Sequence, residues 1–446
     1  MNRVLGSDQN RRACAVESTS VLKASVWLVN PYGPLPSEQW REYRFTTLGR
    51  ALTRAGYNVT WWTADFSHHF KVHRHGGWAE LSAGPHFRIR LVPTPGYRRH
   101  IGIGRLWFEA VFAARLYAKA CHEKPPALII APDTPQVVAA AAARLARRFG
   151  AKLVVDVMDL WPELFELAVP QFLREVFRPL FWPFHALRRA VRRKADAITA
   201  LCPSYLHHAI REAPPRTMCR VVYNGIDVSA LRAESLLPDE KVDLLVGSGK
   251  QYGEIWAVFA GTIGNNYDIE CLASAALLLK DAAPPIHILV AGNGPLRHQL
   301  LRAVRVGAQN LHVIGQLEHS ALASLYRRCD VGLCAYARGS NVGMPDKAYD
   351  YLAMGLPIVS SLTGDLKELI ETKRIGLFYE AGDPHLLAGA LQALARNPSL
   401  RMQMSENASA LGRQFNSAEQ YDYMVELVRL LADSRHPMHD TVVVQT

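Results

Sequence analysis

Cysteine is scarce in this chain and follows no pattern. Its seven residues, Cys14, Cys121, Cys202, Cys219, Cys271, Cys329 and Cys334, are scattered, odd in number and include no C-x-x-C pair. That argues against a disulfide framework and a zinc site, and leaves small buried hydrophobes in a reducing compartment as the expectation. Long apolar runs are missing too. No stretch approaches the roughly eighteen uninterrupted apolar residues that a spanning helix needs. The opening "MNRVLGSDQNRRACAVESTSVL" lacks the apolar central block of a signal peptide. Residues 1–22 therefore read as a disordered leader, and the chain as cytoplasmic. No repeat, low-complexity tract or nucleic-acid recognition motif stands out, so nucleic acid is not an expected partner.

What is present points to two globular domains. At 446 residues and 49% hydrophobic, the chain is long enough for two cores. Its net charge of +11 is unevenly spread. Through Asp227 there are 32 Lys+Arg against 17 Asp+Glu, and beyond it 19 against 23. Only the first half is therefore expected to meet an anionic surface.

Each half alternates apolar strands with helical spacing. In the first, "SVWLVNPYG" (25–33), "YNVTWWT" (57–63), "ALIIAPD" (127–133) and "KLVVDVMDL" (152–160) read as buried strands, with a helix over 38–56. In the second, "IWAVFAG" (255–261), "IHILVAGNGP" (286–295), "LHVIGQL" (311–317), "DVGLCAYA" (330–337) and "PIVSS" (357–361) do the same around a helix at 269–280. Such alternation predicts an α/β fold of two doubly wound, Rossmann-like domains with parallel sheets facing a central cleft. The boundaries expected are 23–227 for the first domain, 228–254 for a linker and 255–415 for the second. A C-terminal helix at 416–434, able to cross back to the first domain, and a loose tail at 435–446 complete the chain.

Three glycine loops should face that cleft. "FAGTIGNNYD" (259–268) ends a strand and opens a helix, with Gly264 and Asn265 at its tip. It is neither a G-x-G-x-x-G fingerprint nor a Walker loop, for it lacks G-K-[ST]. "AGNGP" (291–295) carries Gly294, and "GMPDKAYDYLAMGLP" (343–357) starts a short helix with Asp346 and Lys347 in its first turn and Asp350 one turn on. Lys347 and Asp350 are then neighbours on one helix face. They fit an i,i+3 surface salt bridge, the plainer reading of the pair alone, or a cation for a diphosphate and a carboxylate for a ribose diol.

The order of these loops with "HVIGQL", "CDVGLCAYARGSNVGMPDKAYDYLAMGLPIVSS" and "GLFYEAGDP" resembles the donor domain of family 4 (group 1) glycosyltransferases, retaining enzymes of the GT-B fold. "VVDVMDLWPE", "RRKADAITALCPSY" and "VVYNGID" in the first half resemble the bacterial O-antigen and exopolysaccharide branch. The resemblance covers roughly residues 24 to 432. It implies a UDP- or GDP-sugar donor and a polyprenyl-diphosphate-linked or glycan acceptor. Donor binding would then fall to Gly264, Asn265, Gly294, Gly343, Lys347 and Asp350. Asp350 stands at the second Glu of the family's Glu-x7-Glu motif, which holds the ribose, while the first Glu falls at Val342, a departure. Lys347 matches a lysine that reaches the diphosphate and would share the catalytic work with Asp159, a candidate base that is also readable as a helix-start carboxylate. Gly33, Asp156 and Glu163 complete the acceptor side. No cofactor and no metal are expected: "DVMD" has the wrong spacing for a D-x-D site, and "HHFKVHRH" (68–75) has histidines without Cys or carboxylate company.

The segment "QFLREVFRPLFWPFHALRRAVRRKA" (171–195) holds seven Lys+Arg against one Glu, interleaved with aromatics. It reads as a basic amphipathic helix, either a solvated domain helix or a membrane-contact element. In the second case Phe181, Trp182, Arg188, Arg189, Arg192 and Arg193 would touch an anionic leaflet, making the protein peripheral on the inner face of the cell membrane. Rival readings are a GT-B-fold sugar-nucleotide epimerase and a non-catalytic nucleotide-binding scaffold, the latter favoured by Val342.

Overall fold

The computed structural model describes residues 23–38, 44–99, 102–163, 173–237, 242 and 249–432. The leader at 1–22 and the tail at 435–446 lie outside them. The first domain is built on β1 (Ser25–Val29), β2 (Asn58–Ala64), β3 (Ala79–Gly84), β4 (Phe87–Val92), β5 (Leu128–Pro132), β6 (Lys152–Val157), β7 (Ala197–Ala200) and β8 (Met218–Val221). These form one eight-stranded sheet in the order 3-4-2-1-5-6-7-8, parallel except for β3, which returns against β4. The second domain's sheet has six parallel strands in the order 11-10-9-12-13-14. They are β9 (Ile255–Ala260), β10 (Ile286–Ala291), β11 (Leu311–Gly315), β12 (Val331–Cys334), β13 (Ile358–Ser360) and β14 (Gly376–Phe378). Both are doubly wound α/β units, as the alternation predicts.

The helices of the first domain are α1 (Arg44–Arg54), α2 (Ile103–Ala120), α3 (Gln136–Phe149), α4 (Arg174–Arg192) and α5 (Pro203–Ile210). The stretch read as a linker carries α6 (Val228–Glu234), whose N-cap Asp227 accepts a hydrogen bond from Ala230 N. Then follow α7 (Ile269–Leu278), α8 (Arg297–Arg305), α9 (His319–Arg328), α10 (Asp346–Ala353), α11 (Asp365–Lys373), α12 (Pro384–Arg396), α13 (Pro398–Gln414) and α14 (Ser417–Ala432).

The two-residue period of β1 and β2 sorts their side chains. Val26, Leu28, Val59 and Trp61 pack with Leu48 and Leu52 of α1 and with Met424, Leu427 and Val428 of α14. Trp27, Val29 and Trp62 join the opposite layer, with Phe108 and Phe112 of α2 and Val138 of α3. The C-terminal helix thus returns to the first domain, covering the sheet beside α1. The β3–β4 hairpin is a feature that strand-helix-strand alternation does not anticipate. Its side chains on β3 alternate half-buried and exposed, as on an antiparallel edge.

Two sets of charges lie inside. Arg44 of α1 grips Asp156 at the end of β6, Nε to Oδ2 at 2.5 Å and Nη2 to Oδ1 at 2.8 Å. Its Nη1 donates to Val222 O at 2.7 Å, and Thr199 Oγ1 donates to Asp156 at 2.7 Å. Asp156 is therefore a fully paired carboxylate within the sheet and faces no acceptor, which corrects the acceptor-side expectation. The second set corrects the reading of α4. Arg192 and its partner Asp133 are both 0% exposed, joined at 2.6 Å, and Arg192 also meets Glu212 at 3.0 Å. Arg188 is buried against Glu163 and Glu212. Neither arginine can touch a membrane. Helical periodicity places residues on faces, but only the packing of α3 on α4 decides which face is inward.

Removing one partner of a buried pair leaves the other charge without compensation. Asp156→Asn or Arg44→Met is expected to lower stability by about 3–5 kcal/mol. Urea titration would read this as a lower midpoint at unchanged slope. A cost below about 1 kcal/mol would mean that water or another group compensates the survivor.

Candidate functional site

In parallel sheets, loops at the carboxyl ends of the strands collect at one edge, and here those of both domains meet across one cleft. On the second domain, the loop after β9 lies directly on the loop after β10. Gly261 N donates to Ala291 O and Ile263 N to Asn293 O, both at 2.9 Å. A Cβ on Gly292 would run into Gly261 O, and one on Gly294 into Ile263 O. Gly294 therefore serves loop stacking through the close approach of two backbones. Gly264 is buried without crowding, and Asn265 is exposed at the tip.

Lys347, in the first turn of α10, comes up under this pair of loops. Its Nζ lies 3.0 Å from where a Cβ on Gly261 would be. Three rings surround it: Phe259 at 4.0 Å, Tyr267 at 4.2 Å and Tyr336 at 5.2 Å, each from ring centroid to Nζ. The ammonium is buried and, among the described residues, has no hydrogen-bond partner. Burial lowers its pKa to about 8, against the opposing pull of Cys334 and Asp350. Asp350 is buried as well, near enough for its charge to raise both Lys347 and Cys334. The i,i+3 surface salt bridge is thus excluded, because both residues are interior and Lys347 is cradled by π faces instead.

The opposite wall belongs to the first domain. Asp159 is solvent-accessible but lies deep between the domains. The surrounding protein raises its pKa to about 6; Arg105 opposes the rise and Asp346, from across the cleft, adds to it. Arg105 of α2 stands between the rings of Tyr32 (5.2 Å) and Trp161 (5.3 Å). Its Nε donates to Glu109 at 2.9 Å and to Tyr32 Oη at 3.1 Å. Glu163 points away into the ion cluster, held low in pKa by His208 and Arg188 despite its burial. Gly33 contributes its carbonyl to Arg74, at 2.7 Å.

The domains are latched by backbone and side chain. Asp365, at the start of α11, accepts from Ser204 N at 3.0 Å and from Ser204 Oγ. Tyr205 Oη donates to Asn341 O at 3.2 Å and accepts from Gly343 N at 3.3 Å. Asn224 Nδ2 donates to Asp346 at 3.0 Å. Gly343 is therefore an interdomain contact whose N–H is already engaged, rather than one free for donor binding. Arg105, Tyr205, Asn224 and Asp346 were absent from the sequence-derived site. Asp346 had a signal, as an acidic residue beside Lys347 in the first helical turn. The other three had none, since each matters through contacts distant in sequence. Among the described residues, no group of three or more His, Cys, Asp or Glu is placed to hold a metal ion.

Comparison with known proteins gives a consistent picture. Two family models match: "Glycosyl transferase 4-like domain" over residues 42–225 and "Glycosyl transferases group 1" over 254–397. A provisionally assigned glycosyltransferase of Bacillus subtilis, EpsD, is 21% identical over 210 residues, 47% of this chain and 54% of EpsD. The chain thus spans about half the length of that curated relative. Sucrose-phosphate synthase from Thermosynechococcus elongatus superposes with a TM-score of 0.65 at 19% identity, covering 92% of this chain and 100% of that one. HepE of Anabaena, solved with UDP and glucose, gives 0.61 at 16% identity, covering 91% and 99%. These structures share the fold.

A Cβ on Gly343 would come within 2.7 Å of Asp365 Oδ2 and still closer to Cys202 Sγ. Gly343→Ala is therefore expected to spring the latch, raising the radius of gyration in small-angle scattering. Cys202→Ala in the same chain should recover part of the change. An unaltered scattering curve for Gly343→Ala would mean that the contact does not hold the domains together.

Proposed function

We propose that this chain, which belongs to the group 1 glycosyl transferases, moves a sugar from a nucleoside-diphosphate donor to a polyprenyl-diphosphate-linked or glycan acceptor, with retention at the transferred carbon, in surface polysaccharide synthesis. The observation that carries this reading is Lys347, a buried ammonium without a hydrogen-bond partner among the described residues, set against Gly261 at the edge of the cleft. Desolvating a cation is costly, and an anion arriving at the loop above would offset that cost. A diphosphate leaving group gains negative charge as the glycosidic bond breaks, so a fixed cation and the N–H groups opening α10 stabilise the transition state more than the ground state. Asp350 is assigned to the ribose hydroxyls. Asp159, with its raised pKa, is suited to take the acceptor hydroxyl's proton. No metal is part of this reading. Val342 packs against the apolar core where the family motif has its first Glu, so the donor sugar must be held by other groups.

Membrane docking is proposed on the inner face of the cell membrane. At the start of α4, Val176, Phe177, Leu180 and Trp182 are exposed, Trp182 by 69%. Phe181 is half-buried, while Arg189 and Arg193 remain in solvent further along. Apolar side chains beside basic ones suit an anionic interface, where each basic residue contributes on the order of 1 kcal/mol. Among the described residues no helix is long and apolar enough to cross a membrane.

Calorimetric titration of UDP and GDP tests the donor site. One nucleotide is expected to bind the wild type, and Lys347→Met and Asp350→Ala should each weaken it roughly 10- to 100-fold. Only the protonated lysine attracts diphosphate, so affinity should be full below the Lys347 pKa of about 8 and fall as pH rises through it. Silence from every nucleoside diphosphate would overturn the donor site and with it the sugar-transfer reading.

Flotation with anionic vesicles tests docking. Trp182→Ser with Leu180→Ser should abolish low-salt flotation and leave nucleotide affinity unchanged. Equal flotation of variant and wild type would place the contact elsewhere.

A further inference from the structure

We infer that Arg188 is a positioning residue for the acceptor-side carboxylate: from α4, through the main chain of Trp161, it fixes the loop that presents Asp159 to the cleft. The inference rests on the sugar-transfer reading, in which Asp159 takes the acceptor's proton.

Asp159 stands on the connection that leaves β6, and a loop orients a reacting group well only when it is anchored on both sides of that group. On the near side, Asp156 is gripped by Arg44. On the far side the anchor is Arg188. Its Nη1 donates to Trp161 O at 2.5 Å and to Glu163 Oε2 at 2.7 Å, so one nitrogen engages the chain at two points just beyond Asp159. Gln136 Nε2, at the start of α3, donates to the same Trp161 carbonyl at 3.2 Å. The Trp161 ring is buried, and the Arg105 guanidinium lies 5.3 Å from its centroid. Holding Trp161 therefore also supports the cation whose charge acts on Asp159.

The arrangement needs an arginine. Besides the carbonyl and Glu163, Arg188 reaches Glu212 through Nε and Nη2, both at 3.3 Å, and His185 Nδ1 through Nη2 at 3.3 Å. A planar fork of five N–H donors can serve a carbonyl and two carboxylates at once. A lysine ammonium offers three donors from a single point and cannot span them. Charge neutralisation alone does not account for the contact. Glu212 also pairs with Arg192 at 3.0 Å, and Glu163 with His208 at 3.2 Å, so each carboxylate has a second partner. What Arg188 adds is the charge-assisted bond to the main chain of the Asp159 loop.

The test reads the proton of Asp159 directly. Carbodiimide coupling of glycinamide to the full chain, followed residue by residue in the mass spectrometer, fades as a carboxyl group loses its proton. In the wild type the Asp159 midpoint is expected near pH 6, raised by the surrounding protein and by Asp346 against the pull of Arg105, with Tyr205 also facing it from α5. In Arg188→Lys the loop should loosen toward water, and the midpoint should fall by about one pH unit toward the ordinary carboxylate range. Glu212→Gln weakens the same ion cluster but leaves the Trp161 and Glu163 contacts, so its midpoint should match the wild type. Equal midpoints in wild type and Arg188→Lys, or an equal fall in Glu212→Gln, overturn the inference. If Arg188→Lys does not fold, Gln136→Met removes the other donor to the Trp161 carbonyl without touching a charge. It should lower the midpoint by a smaller amount, and no change would overturn the inference. The labelling needs no sugar donor. A failure of nucleotide binding therefore counts against the sugar-transfer reading, and an unmoved midpoint counts against the role of Arg188.

Discussion

Arg44 and Asp156 form the buried pair on which the arrangement of the cleft rests. The carboxylate ends β6 just before the loop that carries Asp159, and the guanidinium reaches Val222 O just before Asn224, which in turn holds Asp346 of the second domain. The Tyr421 ring of α14 lies 6.0 Å from the same guanidinium. One desolvated charge pair thus sets the position of two cleft loops and the returning C-terminal helix. Such a pair adds little net stability over an apolar replacement, but breaking it by halves is costly. Its consequence here is geometric: α1, β6, β8 and α14 cannot shift independently.

The second domain fixes its loops differently, by bringing backbones together. Gly292 and Gly294 let the loop after β10 lie against the loop after β9, so two carboxyl-end turns become one surface. Under that surface Lys347 is held by three aromatic rings in place of a carboxylate. The difference matters for chemistry. A carboxylate partner would neutralise the ammonium, whereas ring quadrupoles orient it and leave its charge available to an incoming anion.

The first domain sorts its many cations into two groups. Arg44, Arg188 and Arg192 are interior and paired, and they hold the sheet and helices together. Lys71 lies over the Tyr97 ring and Arg105 over that of Tyr32, and Arg105 is near enough to Asp159 to act on its charge. Counting basic residues along the chain merges these groups and overstates the surface that is free to meet a membrane.

The α/β architecture, with helices on both faces of each sheet, was legible in the sequence because parallel strands buried on both faces are near-continuous apolar runs separated by helical spacing. The donor-side loops were legible as well, since glycine turns between strand and helix are local signals, and Lys347 and Asp350 are close in sequence. The β3–β4 hairpin was not, for an edge pair with one exposed face has a weak apolar signature. Which face of α4 turns inward, that Asp156 is paired inside the sheet rather than facing an acceptor, and that Gly343 is a domain contact all depended on partners more than a hundred residues away or on helix packing. Local pattern therefore determined the elements and their order. Tertiary structure alone decided which charges are neutralised inside and which face the cleft, because neutralisation requires an opposite charge within a few ångströms, and sequence distance says nothing about that separation.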